Sequence, residues 1–190
     1  MSVNRKKLII EAATKSFSLF GYKATTMDQV AKIANVGKGT IYTFYANKEE
    51  LFKEIVDNMI VEMEQEANDV INPKLTFTEN LHLTLYRLLE FRREHQLMIK
   101  LFQEEQEIRT PTVLEMVEEI ENAIISFIAQ KIKIAIQKKY IKDCDPELTA
   151  FLMLKMYITL IVDWERIRQP LNKEEIAELF DLYLFKGLSL

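Results

Sequence analysis

The chain has 190 residues, 48% of them apolar and 28% charged, a balance that supports a sizeable buried core and argues against disorder. Four glycines, four prolines and a single cysteine, Cys144, favour helices over strands and leave no internal disulfide to form. The formal net charge of −4 is uneven: residues 1–47 carry +5 and the rest −9, the pattern of a chain whose one end meets a polyanion.

Arg5, Lys6 and Lys7 precede an apolar triplet that Glu11 soon interrupts. The most apolar run, Phe151–Trp164, carries Lys155 and is too short for a bilayer, so a cytoplasmic protein is expected. Apolar periodicity predicts nine helices and no strand, an all-α protein. The first, 4–20, sets Ile9, Ala12, Ala13, Phe17 and Phe20 on one side, with Gly21 in the left-handed position that ends it. The second, 27–34, opens on Thr26, and Gln29 three residues on completes a capping box. A break at "NVG" leads to a third, 38–44. Asn47 caps a fourth, whose stripe from Leu51 to Met63 runs on until Pro73 ends the helix. Helices over 75–93, 95–108 and 112–139 follow. One more starts at Pro146, where proline suits the first helical position, and the last runs from Lys173 to Lys186.

The second helix, a glycine turn and the short third helix make the pattern of a helix-turn-helix. Gly37 gives the turn its freedom. Ile41, with Phe44, can face Leu19, Val30 and Ile33, so a helix too short to stand alone is held from behind. Its opposite face presents Lys38, Gly39, Thr40, Tyr42, Thr43 and Tyr45. A backbone without a side chain, several hydroxyls and one positive charge are the groups that meet phosphates and base edges in the DNA major groove. Thr25 and Thr26, at a helix start that favours an anion, and Lys48 on the fourth helix flank this face.

The stretch Ile9–Phe52, "IIEAATKSFSLFGYKATTMDQVAKIANVGKGTIYTFYANKEELF", resembles the DNA-binding domain of the tetracycline-repressor-like (TetR) family of bacterial transcriptional regulators. "FSLFGYKATTMDQVAK" and "NVGKGTIYTFYANKEEL" carry the resemblance. Phe44 and Tyr45 stand in shifted order relative to that family, which leaves open which ring faces DNA. The resemblance implies a helix-turn-helix DNA-binding domain over 1–47 and a six-helix regulatory domain over 48–190. In it the fourth helix is the connector, the last two helices pair across a two-fold axis, and a small molecule binds within each subunit. It further implies a homodimeric repressor on a roughly palindromic operator, released by that ligand. The alternatives are a protein-interaction module or an activator without an inducer.

The last two helices are apolar nearly all round, as helices shared with a partner are. Leu148, Phe151, Leu152, Ile176, Leu179, Phe180 and Tyr183 are the candidate dimer interface. Tyr86, Phe91, Met98, Phe102, Met116, Phe127, Tyr157 and Trp164 are candidates for the wall of an adaptable apolar pocket holding a hydrophobic ligand. Arg92, Arg93, Arg166 and Arg168 could meet a polar end. No cofactor or metal is expected. The chain has two histidines, no glycine-rich phosphate loop and no nucleophile elbow, and its one Glu-x-x-His (Glu79–His82) lacks a second copy, which argues against an enzyme.

Overall fold

The computed structural model describes residues 4–188, and every regular element among them is helical. In chain order these are α1 (Arg5–Ala24), α2 (Met27–Ala34), α3 (Lys38–Tyr42), α4 (Lys48–Asp69), α5 (Phe77–Glu94), α6 (Gln96–Glu107), α7 (Pro111–Gln137), α8 (Pro146–Ile158) and α9 (Lys173–Phe180). Two π-helical turns, Thr159–Asp163 and Asp181–Phe185, prolong α8 and α9, and Lys186–Leu188 adds a last helical turn. The all-α class and the order of helices are those the periodicity predicts.

The chain forms two compact units. One holds the residues up to Met63 together with Glu90–Ile120; the other holds Glu64–Leu89 together with the residues from Glu121 onward. The three-helix head therefore shares its unit with the first part of α4, with α6 and with the start of α7.

In the first unit α1 packs against α6 and α2, and α2 against α3. Ile9, Phe17, Val30, Ile41, Leu51 and Phe52 are fully buried at its centre. The rings of Phe17, Tyr22 and Phe52 meet at centroid separations of 4.6–5.9 Å, within the range of favourable aromatic pairs. Gly21 (φ 82°, ψ 171°) breaks α1 where the sequence places the break, but a further turn of helix follows it as far as Ala24. Thr26 and Gln29 make both bonds of the predicted capping box, at 3.2 and 3.0 Å. Leu19 and Ile33 are exposed, contrary to the expectation that they back α3; Val30 and Ile41 alone of that group are buried.

The second unit is built around Leu81, Phe127, Ile128, Ile132, Ala150, Met153 and Phe180. Asn80 organises the connection between α4 and α5. Its Nδ2 donates to the carbonyls of Asn72, Leu75 and Thr76 (2.9–3.2 Å), and its Oδ1 accepts from the Asn72 N–H at 2.7 Å. His82 lies against Phe185 with the rings tilted by 36° and their centroids 4.7 Å apart. Its burial pushes the imidazole below its ordinary 6.5, against the opposing pull of Asp181. The folded chain therefore takes up this proton at lower pH than the unfolded chain does. The stability it contributes is full above 6.5 and is lost as pH falls from there through the folded value. Urea melts at pH 7.5 and 5 should show wild type losing more stability than His82→Gln over that interval. Equal losses would refute the assignment.

Candidate nucleic-acid interface

The recognition face grows from a short helix held at its back. α3 starts after Gly37, whose extended backbone (φ −66°, ψ 143°) supplies no side-chain cap. The Gly37 carbonyl accepts from the Thr40 N–H at 2.8 Å. Ile41 is fully buried and Lys38, Gly39, Tyr42 and Thr43 are exposed, with Thr40 half-buried between them. Five residues could not hold a helix alone, so the Ile41 anchor is what keeps α3 formed. A Cβ built on Gly39 would meet nothing within 4 Å, so bare backbone faces outward. Thr43 Oγ1 donates to the Thr40 carbonyl at 2.6 Å. Lys38 Nζ lies 2.9–3.0 Å from the Asp28 carboxylate, which holds the ammonium above its ordinary value of 10.5. That pair is open to water and free to exchange its carboxylate for a phosphate.

Of the two rings whose facing the sequence leaves open, Phe44 is exposed and Tyr45 is buried, against the candidate placing of Tyr45 on the outer face. Tyr42 and Phe44 are 46% and 43% exposed, whereas Tyr45 is 3% exposed. The N–H groups of Phe44 and Tyr45 both donate to the Ile41 carbonyl, at 2.9 and 3.0 Å. That turn carries Tyr45 in and leaves Phe44 out. Lys6 Nζ lies 5.7 Å from the centroid of the Tyr45 ring. The phenol finds no partner at hydrogen-bond geometry, and burial, reinforced by the neighbouring Glu54 carboxylate, pushes it above its ordinary value. Tyr45 is therefore a packing wedge and not part of the outward face.

Two further expectations are corrected. Thr25 is fully buried, its Oγ1 3.1 Å from Ser16 Oγ, so its side chain cannot reach DNA. Lys48 is turned inward. Its Nζ donates to the carbonyls of Tyr22 (2.7 Å) and Thr25 (3.0 Å) and stands 4.1 Å from the centroid of the Tyr22 ring. Burial lowers its pKa from 10.5, a shift the Glu104 carboxylate opposes. Lys48 closes the end of α1 instead of meeting a phosphate. Thr26 is exposed, though its hydroxyl is committed to the cap.

Glu104, on α6, is the residue that sequence reasoning missed. It is buried, and its carboxylate accepts from the Tyr22 N–H (2.7 Å), the Lys23 N–H (3.0 Å) and Thr110 Oγ1 (2.9 Å). A Cβ on Gly21 would lie 2.5 Å from Glu104 Oε2. This carboxylate fastens α6 to the turn that leads into α2. The only local signal for it was Gly21, whose conformation turns two backbone N–H groups away from the helix ladder.

The expected pocket residues are divided between the two units. Phe91, Met98 and Met116 are buried core in the first unit, and Phe102 is half-buried. Tyr86 and Tyr157 border a void of only 20 Å³ beside His82 and Phe180, with room for about one water. Trp164 is exposed and donates from Nε1 to the Gln169 carbonyl at 3.0 Å. Phe127 lines a larger cavity, of 770 Å³. Arg166 and Arg168 are exposed, and the side chains of Arg92 and Arg93 lie outside the described residues. Of the expected interface, Leu148, Phe151, Leu152 and Tyr183 are exposed and Leu179 is half-buried. Ile176 and Phe180 are buried in their own unit's core.

A braced short helix with a bare, hydroxyl-bearing outer face on an all-helical chain defines a helix-turn-helix DNA-binding regulator. Residues 9–55 match the bacterial regulatory proteins of the tetR family, and residues 74–188 match the tetracyclin repressor-like C-terminal domain. The Bacillus subtilis (strain 168) HTH-type transcriptional regulator YhgD is 60% identical over 189 residues, covering 100% of this chain and 99% of YhgD. The fatty acid metabolism regulator protein of the same strain is 37% identical over 81 residues, 40% of each chain. FadR from Bacillus subtilis, solved in complex with stearoyl-CoA, shares the fold with a TM-score of 0.74 at 21% identity, over 91% of this chain and 96% of FadR. The chain belongs to the TetR family of bacterial transcriptional regulators.

Proposed function

We propose that the protein is a homodimeric repressor that leaves its operator when a hydrophobic small molecule binds. Lys38, Gly39, Thr40, Tyr42 and Thr43 read the DNA, joined by Phe44. The observation that carries this reading is the open space over Gly39, flanked by Lys38 and Tyr42 and backed by buried Ile41. A groove can approach the backbone there more closely than at any residue with a side chain.

A helix-turn-helix reads two half-sites through two copies. The exposed apolar residues Leu148, Phe151, Leu152, Leu182 and Tyr183 on α8 and the extension of α9 suit a self-complementary two-fold contact. In this reading residues 1–47 are the DNA-binding domain, 48–190 the regulatory domain, and α4 the connector between them. FadR, bound to stearoyl-CoA, supports a hydrophobic ligand. A coupling of about 1–3 kcal/mol between ligand and DNA is enough to empty most of an occupied operator.

The test is selection of sites from random DNA, followed by mobility shift of the selected duplex across a salt series. Affinity should fall linearly on log–log axes as counterions are released, and Lys38→Ala should reduce the slope by about one. Phe151→Glu should sediment as a monomer and lose the two-half-site complex. Failure of selection to enrich any sequence, with only weak sequence-independent binding left, would remove the proposal.

A further inference from the structure

A cavity of 770 Å³ lies within the second unit, bounded by the α4–α5 connection, the first turns of α5, and the end of α7 with the turn that follows. Its size is in the range of small-molecule sites, roughly 300–1,000 Å³. Ile71, Leu75, Leu81, Phe127, Ile141 and Phe185 supply apolar wall. The polar lining has one sign: Lys131, Lys138 and Lys139 stand among neutral groups such as Thr76, Asn80 and Thr84, with no carboxylate. Lys131 Nζ donates to Asn68 Oδ1 at 2.6 Å and sits 4.9 Å from the centroid of the Phe127 ring. Both partners are uncharged, so neither neutralises the ammonium. Among the described residues none of the three lysines pairs with an acid. The end of α7 offsets only about half a unit of charge through its dipole. One wall is also pre-formed, because Asn80 ties the α4–α5 connection together.

We propose that this cavity binds an amphiphile made of one alkyl chain and an anionic head, the chain along the apolar walls and the head at the three lysines. The proposal rests on reading the protein as ligand-responsive, and it adds the place of the site and the sign of the ligand's charge. A fatty carboxylate and its coenzyme A thioester, with phosphates in place of the carboxylate, share this chemistry.

The test uses the full chain and four probes below their critical micelle concentrations: dodecanoate, dodecanoyl-CoA, dodecanol and dodecyltrimethylammonium. Calorimetry should show one anionic probe bound per chain, dodecanol about tenfold weaker, and the cation weaker still. The tighter of the two anions identifies the head group. The triple variant Lys131→Gln, Lys138→Gln, Lys139→Gln should lose about tenfold for the anion and little for dodecanol. A diazirine-bearing dodecanoate should crosslink to residues 71–84 and 127–141, a readout that does not depend on the variant folding. Equal affinity for alcohol and anion, no loss in the triple variant, crosslinks elsewhere, or no binding of either anion would overturn the site. Binding in the cavity without release of DNA would keep the site and remove the inducer role. Release with crosslinks elsewhere would do the reverse.

Discussion

Glu104→Ala is expected to destabilise the protein by about 3 kcal/mol, although the residue is an acid outside the DNA-reading helix α3. The change strands the N–H groups of Tyr22 and Lys23 and the hydroxyl of Thr110. Each buried polar group left without a partner costs about 1–3 kcal/mol, and entering water recovers part of the total. The half-buried ammonium of Lys48 also loses a carboxylate that favours its charged form. At about 2–4 °C per kcal/mol for a chain of this size, melting should fall by roughly 6–12 °C.

Gly21→Ala approaches the same joint from the other side. At φ 82° and ψ 171° the backbone sits in a region that is essentially glycine's own, and a side chain there costs of order 1–3 kcal/mol. The new methyl would also collide with Glu104 Oε2. In a double-mutant cycle the two changes should add to less than their sum, because Glu104→Ala removes the collision while the backbone strain stays. Strict additivity, or a neutral Glu104→Ala, would mean that the joint does not hold the head as described.

Gly39 should give the opposite signature. Nothing lies within 4 Å of a Cβ at this position, and the residue sits inside a helix. Gly39→Ala should therefore stabilise the free protein by about 0.5–1 kcal/mol. On the operator the same atom would enter a packed contact, where overfilling costs about 1–3 kcal/mol, or about five- to 150-fold in affinity. Gly39→Leu should lie at the upper end or beyond. Raised stability with lost DNA binding separates a recognition role from a structural one. A Gly39→Leu variant that shifts operator DNA as wild type does would remove α3 from the interface.

What could be read from the sequence was mostly what is local to it. The Thr26–Gln29 capping box, the proline at the start of α8, the break at Gly21 and the glycine-led α3 all depend on residues a few positions apart, and each stands where the spacing placed it. Periodicity separated helix from strand because the apolar residues of the first helices recur at three- and four-residue steps and nowhere alternate. The failures concern partners distant in sequence. Lys48 looked like a cation for DNA until two carbonyls more than twenty residues upstream were seen to claim it. Tyr45 and Phe44 exchange roles because the turn after α3 rotates the pair, and a run of aromatics does not encode that rotation. The pocket candidates were chosen as large apolar residues, which is also what a core consists of. The cavity instead borders a connecting loop and a lysine-bearing helix end, where no periodic pattern marks it.

The joint at Gly21 bears on how regulators of this build could be recombined. Glu104 reaches back across 82 positions to hold Tyr22, and Lys48, one residue past a boundary at 47, holds the carbonyls on the other side of the same turn. A chimera that exchanges only residues 1–47 keeps the letters of the reading surface and leaves behind both of its clasps. Transplanting both Lys48 and α6 with the head should restore the melting temperature that the shorter graft forfeits.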